Sequence, residues 1–161
     1  YLCGTSMGGI TALTYGRCEN TQETERFLQG FLGGNSKIRD TRMWPGISLF
    51  GGHKIARAAR ETFGERSFAD LSRPIAVVAA DIAGGERAVL DRGPVAPAIL
   101  ATSAIPGFFP PIKHDGRVLV DGGIVSRVPV DVLNRRRCGL KIAVNVLPSA
   151  RQVPDGDPAR L

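Results

Sequence analysis

The chain has 161 residues, of which 43% are hydrophobic and 22% charged. That is the make-up of a folded domain with its own apolar core, and it excludes a disordered or fibrous segment. The formal net charge of +6 favours an anionic partner, lipid headgroups or nucleic acid, or else is a solvated basic surface.

The predicted elements alternate strand and helix. The sequence opens at Tyr1 with neither an initiator Met nor a leader, inside what reads as the end of a strand, so a fragment is expected: a partial domain over 1–147 and a flexible tail over 148–161. Gly4-Thr5-Ser6-Met7-Gly8-Gly9 then turns into a helix carrying Ile10, Leu13 and Thr14. A second helix begins near Thr21, places Phe27, Leu28, Phe31 and Leu32 at helical spacing and stops at Gly33-Gly34. After an irregular segment, a third helix starts near Gly52, with Ile55, Ala59 and Phe63 on one face and Gly64 as its stop.

The run Ile75-Ala76-Val77-Val78-Ala79-Ala80 has no polar alternation, which predicts a strand covered on both faces. A turn from Asp81 to Glu86, a short strand ending at Leu90 and a helix holding Val95, Ile99 and Leu100 follow. The prolines of 105–111 predict a rigid extended loop, because each lacks a donor and restricts its predecessor. Asp115-Gly116 is a turn signal before the strand Arg117-Val118-Leu119-Val120, which delivers Asp121, Gly122 and Gly123. A helix from about Pro129, with Arg135, Arg136 and Arg137 in its last turn, and a final buried strand over 140–146 complete the expected α/β core.

No stretch is long and apolar enough to predict a membrane-spanning helix. The three cysteines, Cys3, Cys18 and Cys138, are odd in number, widely spaced and without a CxxC pair. This argues against a disulfide framework or a zinc site and fits a reducing compartment, with the thiols as small buried apolar groups. Nucleic acid is not expected as a partner, since the basic residues are scattered and no aromatic stacking motif accompanies them. The segment 43–50, with Trp44, Ile47, Leu49 and Phe50, reads equally as an interfacial surface and as core packing.

The chemistry centres on Gly4-Thr5-Ser6-Met7-Gly8, which matches the G-x-S-x-G elbow, a strained strand-to-helix turn that presents a serine hydroxyl. A tight glycine-rich turn with an idle serine is the bland alternative. A serine hydroxyl needs a base, and of the two histidines, His53 and His114, neither lies beyond Asp121, so the Ser-acid-His order of α/β-hydrolases fails. Asp121, at the C-terminal end of an apolar strand, is the better candidate, although an ordinary capping Asp reads as well from the residues alone.

Gly4-Thr5-Ser6-Met7-Gly8-Gly9, Ala101-Thr102-Ser103-Ala104-Ile105-Pro106-Gly107-Phe108-Phe109-Pro110-Pro111 and Leu119-Val120-Asp121-Gly122-Gly123 with Val128-Pro129-Val130 resemble, in order and spacing, the patatin-like phospholipase family. With the segment Met43-Trp44-Pro45-Gly46-Ile47-Ser48-Leu49 the resemblance is greatest to the branch of neuropathy target esterase and its bacterial lysophospholipase relatives. It implies a three-layer α/β sandwich with a mainly parallel central sheet and the N-terminal part missing. It also implies a Ser6 nucleophile acting directly with Asp121, hydrolysis of fatty acyl esters of phospholipid or lysophospholipid, and neither metal nor organic cofactor. Gly4 and Gly8 would shape the elbow, and Gly122 and Gly123 the turn after Asp121. Val118, Leu119, Val120, Ile124 and Val125 are expected to keep the site dry, and Asp81 is expected to be structural.

The family's oxyanion loop is expected upstream of Tyr1, so the segment alone is expected to be inactive. The expected setting is the cytoplasm or the cytoplasmic face of a membrane, as a peripheral protein. The alternative is a catalytically inactive patatin-like module that binds lipid or protein.

Overall fold

The computed structural model describes residues 1–32, 48–136 and 139–146. Strand β1 (Leu2–Thr5) runs into helix α1 (Met7–Cys18), and α2 (Thr21–Leu32) follows after a two-residue break. Asn20 caps α2, its Oδ1 accepting the N–H groups of Gln22 at 2.8 Å and Glu23 at 3.3 Å. Helix α3 (His53–Phe63) buries Ile55, Ala59 and Phe63 on one stripe, carries the Arg57–Glu61 pair on its exposed side, and ends at Gly64 with φ 57°. Only glycine enters that backbone region freely, so the helix stops where the sequence predicts.

β2 (Ile75–Asp81) is the central strand, followed by β3 (Glu86–Leu90), α4 (Val95–Thr102), β4 (Ile112–His114), β5 (Arg117–Asp121), a 3-10 turn over Gly122–Ile124 and α5 (Val130–Asn134). Residues 75–80 are all buried because helices cover both faces. Ile75, Val77 and Ala79 join Ile10, Leu13, Phe63, Val95 and Ile99 in the larger core under α1, α3 and α4. Ala76 and Val78 point the other way, against Val132 of α5. Successive residues of a strand face opposite ways, so an unbroken apolar run is what a middle layer requires. Truncating a core ring such as that of Phe63 costs about 3–5 kcal/mol.

The α/β class and the helices on both faces stand as expected, but the sheet is more mixed than the mainly parallel one expected. Among the described residues β1 and β2 pair in parallel, while β2 with β3, β2 with β5 and β4 with β5 pair antiparallel. Two further expectations are corrected. The loop 105–111 is folded back rather than extended, with Phe108 and Phe109 N–H both donating to the Ile105 carbonyl and Gly107 at φ 81°. Residues 139–146 form no strand: Leu140, Ile142, Val144 and Val146 stand 74% to 86% exposed, and none of the described strands takes them into its ladder. The tail 148–161, Trp44, Ile47, Arg137 and Cys138 lie outside the described residues.

Candidate active site

β2 has different neighbours along one edge. β1 lies along its first half, with Thr5 opposite Val78, and β5 lies along its second half, with Asp121 opposite Ala79. β3 overlaps both stretches, so it holds the other edge, a strand having only two. β1 runs with β2 and β5 runs against it, so their C-terminal ends meet head to head across the step from Val78 to Ala79. Ser6 follows one end and Asp121 closes the other.

Ser6 sits at φ 54° and ψ −123°, backbone that a non-glycine residue holds only when its surroundings enforce it. Three bonds do so. The Ser6 N–H donates to Thr102 Oγ1 at 2.9 Å, the Ser6 carbonyl accepts from Ile10 N–H at 3.0 Å, and the neighbouring Thr5 hydroxyl donates to the Ser126 carbonyl at 2.8 Å. The serine side chain makes no capping bond to α1. Asp121 is buried; its N–H donates to the Ala104 carbonyl at 2.9 Å and its Oδ1 accepts the Gly123 N–H at 2.7 Å.

The four glycines named from the sequence differ in what they permit. A Cβ on Gly4 would fall 2.3 Å from the carbonyl carbon of Gly8, and one on Gly122 would fall 2.4 Å from the Val78 oxygen. Gly123 is tight only against Asp121 Oδ1, at 3.1 Å. Gly8 has open space where its side chain would be, and the close helix-to-strand approach falls on Gly9, 3.1 Å from Val77 Cγ1.

Ser6 and Asp121 line one groove of about 750 Å³, whose walls include Met7, Val128, Val130 and Leu133 and whose outer side is the exposed segment of Ile142 and Val144. Arg127 is its cation. Cys3 lies in the same groove, and burial pushes its thiol up to about 11, so it stays protonated near neutrality and does not compete as a nucleophile. Leu119 and Val120 are buried behind Asp121 as expected, but Ile124 and Val125 are 59% and 46% exposed and do not dry the site. The 3-10 turn after Asp121 carries them outward.

The histidines stand elsewhere. His53 begins α3, and His114 ends β4 with Nε2 3.5 Å from Asp115 Oδ2; neither lines the groove. Asp81 accepts the N–H groups of Ala83 and Gly84, the structural turn expected of it. A second groove of about 670 Å³, between α1 and α2, is lined by Thr11, Tyr15, Thr21, Thr24 and Glu25 and contains neither Ser6 nor Asp121. Among the described residues no group of His, Cys, Asp and Glu is arranged to hold a metal ion, and no helix is long and apolar enough to cross a membrane. Sequence reasoning missed Thr102 and Ala104: both stand in a motif quoted for its resemblance, but nothing in their spacing showed that they touch Ser6 and Asp121.

Comparison with known proteins gives the family of the chain. The model of the patatin-like phospholipase family matches residues 1–134. One uncharacterized NTE family protein of Mycobacterium tuberculosis is 28% identical over 143 residues, 89% of this chain and 24% of that protein. Another from the same organism is 37% identical over 105 residues, 63% of this chain and 29% of that protein. A lysophospholipase of Kluyveromyces lactis is 26% identical over 143 residues, 89% of this chain and 10% of that protein. The chain thus spans under a third of the length of these curated relatives. With a family match that runs from the first strand to the end of α5, the chain belongs to the patatin-like phospholipase family.

Proposed function

We propose that the protein is a serine lipid acyl hydrolase that cleaves carboxylic esters of phospholipids or lysophospholipids, with Ser6 as nucleophile and Asp121 as its direct base. The observation that carries this reading is the head-to-head meeting of β1 and β5 on one edge of β2, which brings the Ser6 elbow and the buried Asp121 into one groove. The lysophospholipase name of the Kluyveromyces lactis relative supports the substrate class.

In the first step Ser6 Oγ forms a bond to the ester carbonyl carbon as its proton passes to Asp121. The tetrahedral oxyanion collapses, the C–O bond to the alcohol breaks, and the alcohol leaves with that proton. Water then adds to the acyl-Ser6 ester, giving its proton to Asp121, and the fatty acid departs as Ser6 regains its hydrogen. Strand β5 and the Gly123 N–H hold the carboxylate, and the α1 N-terminus at Ser6 lends its positive dipole end to the oxyanion.

The largely apolar groove suits an acyl chain, and the net charge of +6 suits a peripheral place on an anionic, cytoplasmic membrane face. A fluorophosphonate probe applied to the whole protein is expected to label Ser6, with labelling lost in Ser6→Ala and at least ~10³-fold slower in Asp121→Asn. Undiminished labelling of Ser6→Ala would move the nucleophile elsewhere.

A further inference from the structure

The two residues of the dyad are gripped through their backbones by one short stretch of chain. Ser6 N–H donates to Thr102 Oγ1 at 2.9 Å, and Asp121 N–H donates to the carbonyl of Ala104, two residues on, at 2.9 Å. Thr102 is the last residue of α4 and is fully buried. Its hydroxyl hydrogen goes to the Val78 carbonyl at 2.6 Å. That carbonyl lies at the break where β1 and β5 meet, beside the Cα of Gly122. The hydroxyl thus accepts from the elbow and donates to the central strand at once, filling the gap that the sheet leaves between two strand ends.

A hydroxyl is the smallest side-chain group able to accept a bond and donate one at the same time. Valine has the same shape as threonine and can do neither. Removing the hydroxyl takes the acceptor from the part-buried Ser6 N–H and a donor from the buried Val78 carbonyl, and the Ser6 backbone, at φ 54°, loses the bond that opposes its return to ordinary geometry.

We infer that Thr102 is a positioning residue for the reaction: its hydroxyl fixes the Ser6 backbone, and hence Ser6 Oγ, relative to Asp121, whose own backbone the same stretch holds through Ala104. The inference rests on the Ser6 and Asp121 reading above. It gives a role to the Ala101-Thr102-Ser103-Ala104 motif. Thr102 touches neither substrate nor reacting atoms, so its effect falls on the rate of acylation rather than on binding.

The test compares Thr102→Val, Thr102→Ser, Ile99→Ala and Ser6→Ala in the whole protein, by ester hydrolysis below the melting temperature and by the rate of fluorophosphonate labelling. Thr102→Val is expected to lower kcat and the labelling rate together by about 10- to 100-fold, the scale of a small misplacement of a reacting group, with KM within about twofold. Thr102→Ser keeps both bonds and is expected to stay within about threefold of the parent. Ile99→Ala opens a cavity under the same helix without touching Ser6, and is expected to lower the melting temperature while leaving kcat in place. Should Thr102→Val not fold, Thr102→Cys, of similar size but a weak hydrogen-bonding group, takes its place with the same expected split. A folded Thr102→Val with parental kcat, or a loss no larger than that of Ile99→Ala, overturns the inference while Ser6→Ala is inert. Activity in Ser6→Ala overturns the underlying reading and the role of Thr102 with it.

Discussion

A methyl group on Gly122 would stand 2.4 Å from the carbonyl oxygen of Val78, closer than any carbon tolerates. Gly122→Ala must therefore push the end of β5, and Asp121 with it, away from β2. The expected result is a loss of about 1–3 kcal/mol in stability, the usual cost of overpacking, together with a fall in esterase rate. Gly8→Ala is expected to raise the melting temperature slightly, since nothing lies where its methyl would go and alanine gains up to about 1 kcal/mol over glycine in a helix. Thermal melts of the two variants check both signs, and a destabilised Gly8→Ala would contradict the geometry.

Neither His53 nor His114 lines the groove that holds Ser6. His53→Ala and His114→Ala are expected to hydrolyse a short-chain nitrophenyl ester within a few fold of the parent, against a loss of ~10³ or more for Asp121→Asn. A folded histidine variant as impaired as Asp121→Asn would establish a triad in place of the dyad.

Cys3 titrates at about 11 because burial disfavours its thiolate. Alkylation by a maleimide at pH 8 is expected to be at least tenfold slower in the folded protein than in urea. The folded pKa is the raised one, so the associated stability is complete below the ordinary thiol pKa and is lost as pH climbs from there toward about 11. Cys3→Ala is expected to remove that alkaline loss without lowering esterase activity at neutral pH. Equal alkylation rates in both states would show an exposed thiol.

Arg87 of β3 pairs with Asp131 of α5, and just beyond these two elements Arg136 pairs with Asp91. The hydrogen bond from Arg87 holds the Asp131 carboxyl below its ordinary value. The pair's contribution is therefore present above the ordinary carboxylate pKa and fades as pH falls through the lowered one. The Asp131 side chain is 54% exposed, so Asp131→Asn is expected to cost no more than about 1 kcal/mol at pH 7. Melting curves of parent and variant should draw together as pH falls below the ordinary carboxylate pKa, and a gap that stays constant through the acid range would reject the assignment.

Much of the framework is legible in the residues. The unbroken apolar run of β2 and the Ile55, Ala59, Phe63 stripe of α3 follow from burial on two faces or on one, and Gly64 marks where only a glycine continues the chain. β4 is not legible: Ile112, Lys113 and His114 show no alternation, and their state is set by register against β5. Leu140, Ile142, Val144 and Val146 mislead in the opposite direction, because alternation makes a segment ready to pair but a strand exists only when a neighbour supplies the hydrogen bonds. At the site, Ser6 is visible through its glycines, while Asp121 stood out from a capping residue only through family resemblance. Thr102 was out of reach, since its partner lies 96 positions away and a lone threonine carries no pattern.

The apolar residues of 140–146 have a consequence for handling the protein. β1 is hydrogen-bonded along one edge only by the described strands, and Ile142, Val144 and Val146, which line the groove with it, are apolar and exposed. An open edge next to a β-prone stretch is a template for chain-to-chain pairing, the starting geometry of aggregation. A preparation of these 161 residues by themselves is therefore expected to self-associate unless some other segment covers that edge, and Leu140→Lys, at a position outside the groove lining, is expected to reduce it.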